Sequence, residues 1–259
     1  MTSPRPHLFA FLILLLIQLA DAQGTSEFGS LEVSGRVKIG GKQEKLTRKR
    51  FYLLPGGLSE NSGLLERIKN AEITSRDCYY SQAKASPEFI CWLQAEDCES
   101  PFCRTASAEE IQIVPEFKAA YQKGVTQFKG KAEIARDWLV TNLTPNLVSG
   151  FYIQKRSLIE KLLAGLKPLQ SVMTDTVSVK SIFIDIPAGD ARTRKFTLSN
   201  ILPIEIGNKS YVWSCEVNID PGKTAKLSLQ APEAGKTVRN CEVVVKDLKV
   251  CMTGKCEQK

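Results

Sequence analysis

Tyr211-Val-Trp-Ser-Cys-Glu-Val-Asn-Ile219 places Tyr211, Trp213, Cys215, Val217 and Ile219 at every second position. A period of two is the spacing of one strand face, so this stretch predicts a long strand with that face in a core. Trp213 reads as a core residue rather than a ligand platform, because aromatics on strands usually pack inward. Pro221-Gly222 then turns the chain, and Ala225, Leu227 and Leu229 alternate again, as do Cys241, Val243 and Val245. Upstream, Phe196 and Leu198 begin another strand. Val177 and Val179 are followed by Ile182, Ile184 and Ile186 in the opposite phase, which predicts a bulge or a strand break. Short strands punctuated by turns point to a β-sandwich.

The same period appears near the start of the chain. Leu31, Val33, Val37 and Ile39 alternate with Glu32, Ser34, Arg36 and Lys38, Gly40-Gly41 offers a turn, and a second strand ends in Phe51-Tyr52-Leu53-Leu54 before Pro55-Gly56-Gly57. Two strands with one apolar face cannot stand alone in water, so their partners are expected after residue 175. Between Ser59 and about Gln170 helical spacing takes over. Ser107 with Glu110 reads as a capping box. Phe117, Ala120, Tyr121 and Phe128, then Leu158, Ile159, Leu162, Leu163 and Leu166, follow at near-helical intervals. Asn142-Leu-Thr-Pro-Asn146 separates these segments, predicting an antiparallel helical pair closed by Pro168. The expectation is an α+β chain: an antiparallel β-sandwich from residues 31–54 plus 175–259, interrupted by a disulfide-containing helical subdomain at 55–174.

Val33-Ser-Gly-Arg-Val37 resembles the opening strand of carboxypeptidase regulatory-like domains, which are transthyretin-like sandwiches. Lys195-Phe-Thr-Leu-Ser-Asn-Ile-Leu-Pro203 resembles a later strand and turn of that family, and Val217 to Leu229 resembles its closing hairpin. The resemblance covers about a quarter of the chain. It implies a non-catalytic accessory or binding module and brings no catalytic residues with it.

Residues 8–20, LFAFLILLLIQLA, form an apolar run behind Arg5 and ahead of Ala20-Asp21-Ala22, so 1–22 reads as a signal peptide cleaved after Ala22. The run falls short of the roughly 20 residues a bilayer span needs, and no later stretch is apolar enough to cross. With 43% hydrophobic and 24% charged residues, the composition is that of a globular protein. The sole histidine, His7, lies in the leader. Histidine-dependent nucleophiles and histidine-ligated metals are thereby excluded from the mature chain. Paired carboxylates or a Ser-Lys dyad remain as chemistry, with Glu96, Asp97 and Glu99 as candidates, but these also read as solvated charges. Gly40-Gly41 and Gly56-Gly57 read as turns rather than phosphate loops.

The net charge of +7 is unevenly placed. Arg36, Lys38, Lys42, Lys45, Arg48, Lys49 and Arg50 face one acid, Glu44, whereas Glu60–Glu110 holds ten acids against five bases. Arg36, Lys38, Arg48, Lys49 and Arg50 are therefore candidate contacts for an anionic surface. Nucleic acid is not expected, since no aromatics interleave the strip. Eight cysteines fall in two groups, Cys78, Cys91, Cys98, Cys103 and Cys215, Cys241, Cys251, Cys256. Without a Cys-x-x-Cys pair they read as disulfides rather than zinc ligands, two within each group. Asn142 and Asn208 match the glycosylation acceptor pattern.

The chain is thus expected to be an exported, non-catalytic binding or structural module at the cell surface, in the periplasm or secreted. Its partner would be another exported protein or an anionic surface, with no cofactor, metal or nucleic acid. Partner contacts are expected on the helical subdomain more than on the sandwich. The alternatives are a histidine-free hydrolase using paired carboxylates and a secreted carrier of an apolar ligand.

Overall fold

The structure, a computed structural model, describes residues 27–188, 195–232, 238–249, 251 and 256. The leader reading for 1–22 lies outside them.

The chain begins with β1 (Phe28–Ser34), a hairpin of β2 (Arg36–Ile39) and β3 (Lys42–Lys45), and β4 (Arg50–Pro55). Helices follow: α1 (Ser62–Asn70), α2 (Arg76–Gln82), α3 (Pro87–Ala95), α4 (Ala108–Ile113), α5 (Pro115–Gln127) and α6 (Ala132–Asp137). A π-helical turn, Asn146–Gly150, runs into α7 (Phe151–Leu163). The remaining strands are β5 (Gln170–Met173), β6 (Lys180–Pro187), β7 (Lys195–Ser199), β8 (Ile204–Ile206), β9 (Lys209–Asn218), β10 (Thr224–Ser228) and β11 (Cys241–Asp247).

One sheet has the order β10-β1-β6, and the other has β11-β9-β7-β4-β5 with β8 beside β9. Their facing sides enclose a core that contains Leu31, Val33, Phe51, Leu53, Phe183, Leu198 and Trp213. The N-terminal strands therefore serve both sheets, β1 on one side of this core and β4 on the other. Trp213 is fully buried, and its Nε1 donates to Gln230 O at 2.7 Å, which satisfies the one polar atom of the indole.

Several expectations are corrected. The predicted strand from Leu31 to Ile39 breaks at Gly35, where a Cβ would press on Thr174, Leu46 O and Val179. β1 pairs with β10 in parallel, so the sandwich is not wholly antiparallel. β5 belongs to the larger sheet although 55–174 was read as helical. The predicted phase change is present, but inside β6. The register slips between Gly29 and Leu31 of β1, opposite Asp185, which has φ 52°. Ser181, Phe183 and Ile186 turn inward while Ile182 and Ile184 are exposed. Ile182, Phe183, Ile184 and Ile186 are all apolar and occupy both phases, so the pattern could not choose the face.

The capping box at Ser107 and Glu110 is present in full. The antiparallel pair is not: α5 packs chiefly on α6, whereas α7 lies against α1 and the larger sheet. Helix α7 stops at left-handed Ala164, before Pro168. The helical region has its own core, in which Tyr80, Phe89, Trp92, Phe117 and Phe151 meet. The larger sheet carries a second apolar face, Leu54, Ile201, Leu202 and Val212, covered by Leu64 and Ile68 of α1 and Leu162 of α7.

All eight cysteines are paired, but the expected partition fails. Cys98–Cys103 and Cys215–Cys241 stay within their groups, whereas Cys78–Cys251 and Cys91–Cys256 join the two. After β11 the chain passes along α2, where Ser81 Oγ donates to Cys251 O at 3.0 Å. Compactness in sequence therefore misleads, because the second group straddles the end of a strand that delivers its last two cysteines to the helices. A crosslink closing 173 residues restricts the unfolded chain by about 5 kcal/mol in the chain-entropy model. The second then closes only a short ring and adds about 3 kcal/mol. Mass spectrometry of an unreduced digest is expected to yield peptides joining Cys78 to Cys251 and Cys91 to Cys256.

Candidate functional site

Strand β4 shows its two characters residue by residue. Phe51 and Leu53 point into the sandwich core; Tyr52 and Leu54 lie on the opposite face. Leu54 is roofed by helices. Toward Arg50 the roof lifts away, leaving a cleft of about 560 Å³. Its sheet side includes Arg50 and Tyr52 of β4 with Ser171 and Met173 of β5, their register partners across the ladder. Its helical side includes Phe151, Tyr152, Lys155 and Ile159 of α7 and Ile73, Thr74 and Arg76 before and within α2. Asn200, Leu202, Ile204 and Glu205 close one wall.

That wall is a constrained turn. Ile201 is β-branched yet has φ 54°, a conformation such residues avoid. Asn200 holds it: its Nδ2 donates to Leu202 O at 2.7 Å and Tyr211 O at 3.0 Å, and its Oδ1 accepts from Trp213 N at 2.7 Å. The opposite corner is pinned by buried Thr174, whose hydroxyl donates to Leu46 O and accepts from Lys49 N. This corner sets Arg48 at φ 55°, again left-handed.

Six cations line the cleft, Arg48, Lys49, Arg50, Arg76, Lys155 and Arg156, against four carboxylates, Asp97, Glu99, Glu160 and Glu205. Lys49 meets Asp97 at 2.6 Å, and Asp97 also faces Arg76 at 3.7 Å. Lys155 meets Glu99 at 2.7 Å and Arg156 meets Glu160 at 3.2 Å. Arg50 Nη1 donates to Ser171 Oγ at 3.1 Å. Among the described residues, neither Arg48 nor Arg50 has a carboxylate partner.

The basic strip is therefore divided. Arg48, Lys49 and Arg50 reach the cleft, with Lys49 committed to Asp97. Arg36 and Lys38 are exposed on the separate β2–β3 hairpin and do not line it. Of the acids considered from sequence, Asp97 and Glu99 line the cleft, each facing a cation, and Glu96 does not line it. Arg76, Lys155, Arg156 and Glu205 were not anticipated, because single charges in amphipathic segments carry no distinguishing spacing. Asn208 is exposed in the β8–β9 turn, whereas Asn142 Nδ2 is buried beside Gly124.

Two carboxyls in the cleft are pushed in opposite directions. Burial raises that of Glu205 above its ordinary value, against the opposing pull of the Arg76 N–H, which donates to it at 3.0 Å. Partial desolvation would also raise Glu99, but Lys155, helped by Lys49 and Arg76, outweighs it and holds Glu99 low. No group of three or more His, Cys, Asp or Glu side chains among the described residues is placed to hold a metal ion.

The π-helical turn positions the helical side of this cleft. Gly150 ends it, and a Cβ there would collide with Tyr79 Oη, which donates to Asn146 O at 3.0 Å. Without that side chain Phe151 packs at 5.3 Å from Tyr79, between the helical core and the cleft. No family model matches this chain, and comparison with curated proteins and with solved structures finds no match either.

Gly150→Ala is expected to destabilise by about 1–3 kcal/mol through overpacking. Tyr79→Phe in the same background should recover part of that loss, read by urea unfolding. Glu205 tests the electrostatics. A carboxyl raised on folding contributes stability that is present below its unfolded value near 4.5 and lost as pH rises through its folded value. Glu205→Gln should therefore match the wild-type urea midpoint at pH 4 and exceed it at pH 8.

Proposed function

We propose that the chain is an exported, non-catalytic binding module that receives an anionic partner in the cleft between the larger sheet and α7. The observation that carries this reading is the pair Arg48 and Arg50, two cations without carboxylate partners among the described residues, at a concave, partly apolar surface. Four disulfides, and the absence among the described residues of any helix long and apolar enough to cross a membrane, suit an extracellular setting.

The alternatives have less in their favour. The cleft carboxylates face cations or a backbone N–H rather than one another, which does not suit paired-carboxylate hydrolysis. A carrier of a purely apolar ligand would want an enclosed dry pocket, and this cleft is open and charged.

Retention on immobilised dextran sulfate tests the reading, because exposed charges are screened within about 8 Å at physiological ionic strength. Arg48→Gly with Arg50→Ser should elute at clearly lower salt than wild type, with stability within about 1 kcal/mol since glycine suits the left-handed corner. Arg36→Ser with Lys38→Ser removes the same charge outside the cleft and should shift elution less. Equal shifts for the two double variants would reject the cleft as the anion site.

A further inference from the structure

Building on the reading of the cleft as a binding site, we infer that its ligand is a single-chain amphiphile with an anionic head, the chemistry shared by free fatty acids and lysophosphatidates. Charge and apolar surface are segregated along one strand face. Arg50 and Tyr52 are two residues apart on β4 and both line the cleft, so guanidinium and apolar surface are offset by about 7 Å. Beyond Tyr52 the lining adds Ile159 and Leu202, which join the buried apolar cluster beneath α1 and α7, with Glu160 and Glu205 lining the cleft beside them. A carboxylate or phosphate suits a guanidinium because both can form two parallel hydrogen bonds. An acyl chain suits what lies beyond.

Other anionic partners fit less well. A sugar body would have to pair with side chains that are mostly engaged already: Asn200 spends its amide on three backbone atoms, Ser171 accepts from Arg50, and Lys49, Lys155 and Arg156 meet Asp97, Glu99 and Glu160. A peptide that extended the larger sheet would need the edge of β5. β5 is the end strand of that sheet, and its edge is occupied at Gln170, whose Nε2 donates to Ile184 O of β6.

Calorimetric titration of the intact protein with octanoate, laurate and palmitate, each below its aggregation threshold, tests the inference. Affinity should rise about fourfold per added methylene while the chain still lies in the cleft. Oleoyl lysophosphatidate should bind at least tenfold more tightly than oleoyl lysophosphatidylcholine, whose head carries a compensating cation. The stronger of palmitate and lysophosphatidate identifies the source of the head group. Arg48→Gln with Arg50→Gln should weaken both at least tenfold, and Arg36→Gln with Lys38→Gln should weaken neither. Equal affinity for octanoate and palmitate would overturn the inference. So would binding of an oligoglutamate peptide with none of palmitate, although the cleft would then stand as an anion site. Failure of every anion to bind in an Arg48- and Arg50-dependent way would overturn both readings.

Discussion

The larger sheet is apolar on both faces, and that is the constraint from which the rest of the molecule follows. Phe51, Leu53, Leu198 and Trp213 face the smaller sheet; Leu54, Ile201, Leu202 and Val212 face away from it. A sheet with one solvated face needs a single covering layer, but this one needs two. The helices between β4 and β5 supply the second, and α1 and α7 lie against it. The cover does not reach the β4–β5 end. There the strand residues change to Arg50, Ser171 and Met173, which tolerate water, and the cleft is the space between the end of the apolar face and the end of its roof.

Two small devices hold the roof in register with the sheet. Lys246 Nζ donates to Lys69 O and Ala71 O at 2.7 and 2.8 Å, satisfying carbonyls at the end of α1 from the edge strand β11. Asp97, in the turn after α3, accepts from Lys49 beside β4 and faces Arg76 of α2. Lys49 and Arg76 are largely withdrawn from solvent, with side chains 12% exposed, whereas their shared partner Asp97 is 59% exposed, so solvent still screens this bridge from the carboxylate side. Lys49 thus belongs to the frame of the cleft, and its neighbours Arg48 and Arg50 belong to its mouth.

Much of the sheet architecture was legible because alternation reports burial directly, as along Tyr211–Ile219. It failed where apolar residues occupied both phases, as in Ile182-Phe183-Ile184, since only the register against Leu31 selects Phe183 for the core. The capping box at Ser107 was legible because it is local. The cysteine pairing was not, since Cys251 and Cys256 reach Cys78 and Cys91 only through the path taken after β11. Of the cleft, the contiguous run Arg48–Arg50 could be seen, but Arg76, Lys155 and Glu205 come together from three distant segments. Their sequence neighbourhoods are those of ordinary surface charges.

The two crosslinks between the helices and the C-terminal segment also set an order of events. Cys78 and Cys91 are synthesised more than 150 residues before their partners, and at about 5–20 residues per second that is a wait of roughly 8–35 s. Through that interval the helical region relies on its own aromatic core and on its contacts with β4. Two thiols meanwhile stay open to the wrong partners, which are each other and the nearby Cys98 and Cys103. The short Cys98–Cys103 loop, five residues apart, needs no later segment of the chain to close, and once closed it removes two of those competitors. Oxidative folding of this chain is thereby biased to finish last where it is clamped most tightly.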